Sequence, residues 1–185
     1  MAASARIHLH VAGVDTLALS ALCGACPQGP RGCCAAPPVF TWSDIARILD
    51  HGGRDWLRAE TTAGRLVPNR RGLAVARVEG EGGARCAFHG TRGCTLDPTQ
   101  RSTTCNDYLC DDALADGARA SPWLARRAGA AHRELAAIYA RWDEEIGAAI
   151  GAPCWDGAAG EEAMLATLAA HGRQLRASLP PRLAG

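Results

Sequence analysis

The stretch CGACPQGPRGCCAAP, residues 23–37, decides how this chain is read, because it sets Cys23, Cys26, Cys33 and Cys34 within a dozen residues. A thioredoxin-like redox motif needs a helix directly after its C-x-x-C, and Pro27, Gly29, Pro30 and Gly32 argue against one. The same C-x-x-C turn brings two sulfurs to one side, which is the common unit of zinc and iron–sulfur sites. Cys33 and Cys34 are neighbours whose side chains point in different directions in extended or turn backbone. They are therefore expected to face two ions, or one multinuclear cluster, each completed from elsewhere in the chain.

That completion is expected from CAFHGTRGCTLDPTQRSTTCNDYLC, residues 86–110, which holds Cys86, Cys94, Cys105 and Cys110. Eight sulfurs match two four-sulfur sites, or one cluster and one structural site. The nine cysteines are an odd number, at a density below that of a small disulfide scaffold. In a reducing compartment, grouped thiols are more often ligands or redox groups than bridges. Cys154 stands apart and reads as a small core hydrophobe. His89 is spaced from Cys86 as a further ligand could be, but eight thiols already close two tetrahedral sites, so it is expected at the surface. Arg101 is expected at the surface beside the cluster, where it could donate to a thiolate. Asp107, Asp111 and Asp112 read as a solvated acidic rim around the last two cysteines.

The 185 residues suffice for a core, and 48% are apolar, mostly Ala and Leu, with only nine aromatic residues. This composition favours closely packed helices over an aromatic-filled sheet. A net charge of +1, with every basic residue an arginine and no basic stripe, argues against nucleic-acid binding. No apolar run is long enough to span a membrane. Residues 11–25 have some of the character of a signal-peptide core, but Asp15 interrupts them and Arg6 is the only preceding side-chain cation. A cytoplasmic location is expected.

Alternation from Arg6 to Val11 predicts a half-buried strand. Thr41 and Asp44 form a capping box for a helix carrying Trp42, Ile45, Ile48 and Leu49, ended by Gly52 and Gly53. A second short helix is expected from Asp55, as N-cap, to Gly64. Residues 65–85 read as a hairpin feeding the second cysteine group. A long helix is expected over Pro122–Ile150, with a kink at Gly129 and with His132, Glu134 and Asp143–Glu145 on its solvated face. A last helix is expected over Glu161–Leu175, followed by a frayed tail.

The order of cysteines ending in a Cys-Cys pair, then FTWSDIARIL (residues 40–49), then Cys86-x-Phe88, Gly93-Cys94-Thr95-Leu96, Arg101 and Cys105-x-x-Tyr108 resembles the YkgJ-type cysteine-cluster family. That family is described as a zinc- or iron-chelating domain related in part to flagellin lysine methylases. The resemblance covers roughly residues 23–110. It implies a metal centre at Cys23, Cys26, Cys33, Cys34, Cys86, Cys94, Cys105 and Cys110, with Asp44 in the helix between the two halves. The chain departs from the family pattern in the longer gap between Cys26 and Cys33, in Ser102 where proline is usual, and in His89 where leucine is usual.

The expectation is an α-rich α+β fold: a cysteine-ligated metal-binding core with a hairpin and short helices over residues 1–115, then a C-terminal helical extension over 116–185. Its expected function is chelation of zinc or iron, with an iron–sulfur cluster as one form. The alternatives are a metal-dependent protein-modifying enzyme, as the methylase kinship implies, and a zinc-ribbon-like module with a protein partner. The sequence contains no nucleophile elbow, phosphate-cradling loop or dinucleotide fingerprint, and it names no catalytic residue.

Overall fold

The computed structural model describes residues 7–26, 32–80, 83–91, 93–155 and 159–179. The Gly29–Arg31 part of the first cysteine loop and the end of the tail lie outside them. Strand β1 (Ile7–His10) pairs antiparallel with β2 (Leu17–Ser20). The apolar bias of residues 11–25 is thus explained by a hairpin whose connection buries Val14. Strands β3 (Val39–Phe40), β4 (Leu66–Asn69) and β5 (Gly72–Val75) make a sheet in the order β3, β5, β4. A Cβ on Gly72 would lie 2.0 Å from the Phe40 carbonyl oxygen, so only glycine lets β5 come this close to β3. Next, β6 (Arg77–Val78) pairs with β7 (Arg85–Cys86), and β8 (His89–Gly90) pairs with β9 (Gly93–Cys94). The expected hairpin is therefore a chain of short ones delivering Cys86 and Cys94.

Helix α1 (Trp42–Asp50) starts at the Thr41–Asp44 capping box and buries Trp42, Ile45 and Ile48. Helix α2 (Arg54–Thr62) follows with Gly53 as its N-cap. The expected N-cap, Asp55, instead lies in the first turn, where a carboxylate still favours the helix N-terminus. Helices α3 (Thr103–Asp107) and α4 (Asp111–Ala120) lie around the last two cysteines. Helix α5 (Pro122–Ile150) begins with Ser121 accepting from Leu124 N–H and proline at its first position. It runs unbroken through Gly129, since one glycine lowers helix propensity without removing a hydrogen bond. Gly151, at φ 63°, ends it, and α6 (Ala159–Ala177) closes the chain.

The fold is α+β with helix predominant. One core gathers around α1 from Phe40, Leu73, Trp142, Ile146 and Leu168, and a second lies between β1, α4 and α5 around Ile7, Ala113 and Ala128. Both draw on residues from either side of position 115, which itself falls inside α4. Helices α1 and α6 approach closely where Ala46 meets Gly172, whose Cβ, if present, would lie 2.8 Å from that of Ala46. Among the described residues no helix is long and apolar enough to cross a membrane.

Asp15, the residue that interrupts the apolar run, ties three elements together. It accepts from Arg47 (3.3 Å) and Arg176 (2.9 Å) and pairs with His51 Nε2 (2.9 Å). Burial pulls its carboxyl up, but His51 and Arg176 outweigh this and hold it below the ordinary 3.8. A carboxylate lowered on folding contributes stability that is full above its unfolded value and lost as pH falls through the folded one. Asp15→Asn is expected to cost about 1.5 kcal/mol at neutral pH. The gap from the parent should close below about pH 4, as read by urea unfolding across a pH series.

Candidate metal centre

Helix α1 positions the second cysteine group through two charged residues one turn apart. Asp44, only 3% exposed, accepts from the Thr103 backbone N–H (2.6 Å) and hydroxyl (2.9 Å), and from Thr41 N–H (3.3 Å). Burial raises its pKa, and Arg47 and Thr103 oppose that rise. Arg47, 4% exposed, donates to the carbonyls of Pro98 (3.4 Å) and Arg101. Asn106 Nδ2 also donates to Pro98 O, at 2.8 Å. Asp97 caps the turn Pro98–Gln100 by accepting from Thr99 N–H. The segment leading to Cys105 is thereby fixed from both sides. Arg101 donates from Nε to Leu96 O at 3.0 Å, bracing the same segment.

All nine cysteines are free thiols. Eight of them lie in the two cysteine groups, and several feel one another's charge. Burial raises the Cys23 thiol, and the charges of Cys33, Cys110 and Cys26 raise it further. Cys34 feels Cys33 first and then Cys86 and Cys105, while Cys86 feels Cys94 and Cys105 feels both Cys94 and Cys86. The short 3-10 turn Cys33–Ala35 is the junction: its two thiols hydrogen-bond to each other, which drops Cys33 to about 6 and raises Cys34. Among the described residues no three His, Cys, Asp or Glu side chains are yet gathered closely enough to hold an ion. The sulfurs are grouped but not closed into ligand shells. Cys154 stands apart and half-buried, its backbone N–H toward Met164 Sδ at 3.4 Å.

A cavity of about 530 Å³ is lined by Cys23, Cys26, Cys33, Cys34 and Cys110. His89 and Tyr108 form part of its wall. His89 is half-buried and faces the thiols; it was expected on the open surface, but its strand pairs it directly with Cys94.

Asp107 is not part of a solvated rim. It is 1% exposed, and its Oδ1 pairs with His132 Nδ1 at 2.9 Å. Burial pushes its carboxyl up to about 6 against the lowering effect of His132. His132 and Asp143 of α5 likewise leave the solvated face assigned to them: they line a second cavity together with Asp44 and Asp107. Asp143 Oδ1 accepts from Ser43 N–H (2.8 Å) and hydroxyl (2.6 Å), capping α1 from another helix. Asp111 and Asp112 do remain exposed, in the first turn of α4. Tyr108 meets the His132 ring edge-on at 5.4 Å, so Asp107 and Tyr108, adjacent in sequence, serve the two cavities separately. The i, i+4 spacing of Ala136 and Ala140 beside His132 and Asp143 was the available sequence signal for this inward face.

Comparison of the chain with protein-family models, with curated proteins and with solved structures found no match.

Removing the Asp44 carboxylate leaves the Thr103 and Thr41 N–H groups without their acceptor. Asp44→Ala is expected to lower stability by about 3 kcal/mol in urea unfolding. It should also speed thiol-reagent labelling of Cys105 in the native state, and an unchanged labelling rate would show that α1 does not hold that segment.

Proposed function

We propose that this chain chelates zinc or iron, the latter including an iron–sulfur cluster, through two sets of four thiolates. The first set is Cys23, Cys26, Cys33 and Cys110, and the second is Cys34, Cys86, Cys94 and Cys105. The observation that carries this reading is the gathering of eight free thiols from two distant stretches, with the turns bearing Cys23 and Cys33–Cys34 packed on the strands bearing Cys94 and Cys86. Four thiolates are a complete donor set for tetrahedral zinc and for the common iron–sulfur clusters. A divalent ion would also neutralise charges that now raise one another's pKa, and its binding would contribute folding energy to loops with little core of their own. The reading agrees with what the resemblance to YkgJ-type proteins implies.

A second reading, as a metal-dependent protein-modifying enzyme, is favoured by one observation: a cavity containing Asp107 and His132 lies directly behind the thiol cavity. Arg101 does not line it.

Elemental analysis of protein purified without oxygen or chelator tests the proposal. About two zinc ions per chain, or iron with labile sulfide and visible absorption, are the expected results; metal-free, fully reduced protein would overturn it. Cys33→Ser and Cys34→Ser should each lose about half of the metal, one from each set, while Cys154→Ser keeps all of it. Complete loss of metal in both single variants would instead indicate one shared cluster.

A further inference from the structure

Cys33 and Cys34 stand in the short 3-10 turn that ends the first cysteine group. Ala35 N–H on the Gly32 carbonyl (2.9 Å) and Ala36 N–H on the Cys33 carbonyl (3.2 Å) close that turn. Within it the two thiols hydrogen-bond to each other, so their sulfurs are already in contact while unbridged. The pair is also reachable. Cys33 is exposed, Cys34 is half-buried, and both line the cavity of about 530 Å³, which is far larger than a peroxide molecule.

A bond between these two sulfurs has a particular character. Neighbouring residues hold their Cα atoms about 3.8 Å apart, less than the roughly 4.4 Å at which ordinary disulfides begin. A bridge here is therefore strained, and strained, exposed bridges are the readily reduced, regulatory ones. A thiolate ligates a metal, so a sulfur taken into a disulfide is lost as a ligand.

We propose that Cys33 and Cys34 are a reversible redox pair, closed by a peroxide into a vicinal disulfide that withdraws one ligand from each metal site at once; this rests on the metal reading, in which Cys33 serves one site and Cys34 the other. One sulfur attacks the peroxide and breaks its O–O bond, giving a sulfenic acid and a first water. The neighbouring sulfur then attacks that sulfenic sulfur, forming the S–S bond and expelling hydroxide, which leaves as a second water. The two sulfurs lose two electrons and the peroxide gains them. The protons come from the thiols, or from solvent where a thiol is ionised. A single oxidation thus leaves each site with three of its four sulfurs.

Treatment of the full, metal-loaded chain with one equivalent of hydrogen peroxide, followed by alkylation with iodoacetamide and peptide mass spectrometry, tests this. The peptide containing Cys33 and Cys34 should be unalkylated and lighter by two hydrogens. Uptake of metal by a chelating dye should rise in step with that change, and dithiothreitol should reopen the bridge. Cys34→Ser, which keeps the ion of the first set, should release it to the dye at least about tenfold more slowly under peroxide. A bridge from Cys33 or Cys34 to any other cysteine, oxidation of the pair to sulfinic acid without a bridge, or equally fast release from Cys34→Ser would each overturn the proposal. Protein that carries no metal as purified would overturn the metal reading instead, and the same peptide mass, measured on that reduced chain, still decides whether the pair closes.

Discussion

Two opposite charges buried one helical turn apart set the geometry on which the rest of this structure depends. Asp44 and Arg47 both lie on the inner side of α1, where neither can keep its water. A buried carboxylate must find N–H or O–H donors, and a buried guanidinium must find acceptors. The same passing segment supplies both: Thr103 for Asp44, and the Pro98 and Arg101 carbonyls for Arg47. Because each charge leaves the other's partner alone, the segment has one satisfactory register against the helix. Cys105 therefore inherits its place from a helix that contains no cysteine.

Much of this fold can be read from residue order. The capping box at Thr41, the period of Trp42, Ile45 and Ile48, and the apolar face of Leu135, Tyr139, Trp142 and Ile146 are local signals, and the structure places those residues in the core. What order alone did not reveal was the inner role of the acidic residues. Asp107 and Asp143 look like ordinary surface carboxylates because the groups that hold them are distant in sequence. Their partners, His132 and Ser43, lie 25 and 100 residues away. Helix α4 was likewise hidden, since Asp111 and Asp112 read as a charged border when they are the first turn of a helix, where the macrodipole favours them. The cysteine groups were legible as groups.

The grouping turns on the pair Cys33–Cys34, which sits where two loops meet and whose thiols hydrogen-bond to each other. The 3-10 turn over Cys33–Ala35 packs against the strand bearing Cys86, while the preceding turn through Cys23 packs against the strand bearing Cys94. Asp107 and Tyr108, also adjacent in sequence, line the cavity beside α5 and the thiol cavity respectively.

The contact of Ala46 with Gly172 has a temporal side. The face of α1 that carries Ala46 is covered by the last helix, more than a hundred residues later in the chain. During synthesis every cysteine leaves the ribosome before that cover exists, so the thiols pass through a period in which α1 lacks its outer partner and the segment to Cys105 lacks a settled anchor. Pairings so distant in sequence form late, after the entropy of a long closure has been met. For this chain, the helix that anchors the segment to Cys105 gains its outer cover only once the last helix has been made.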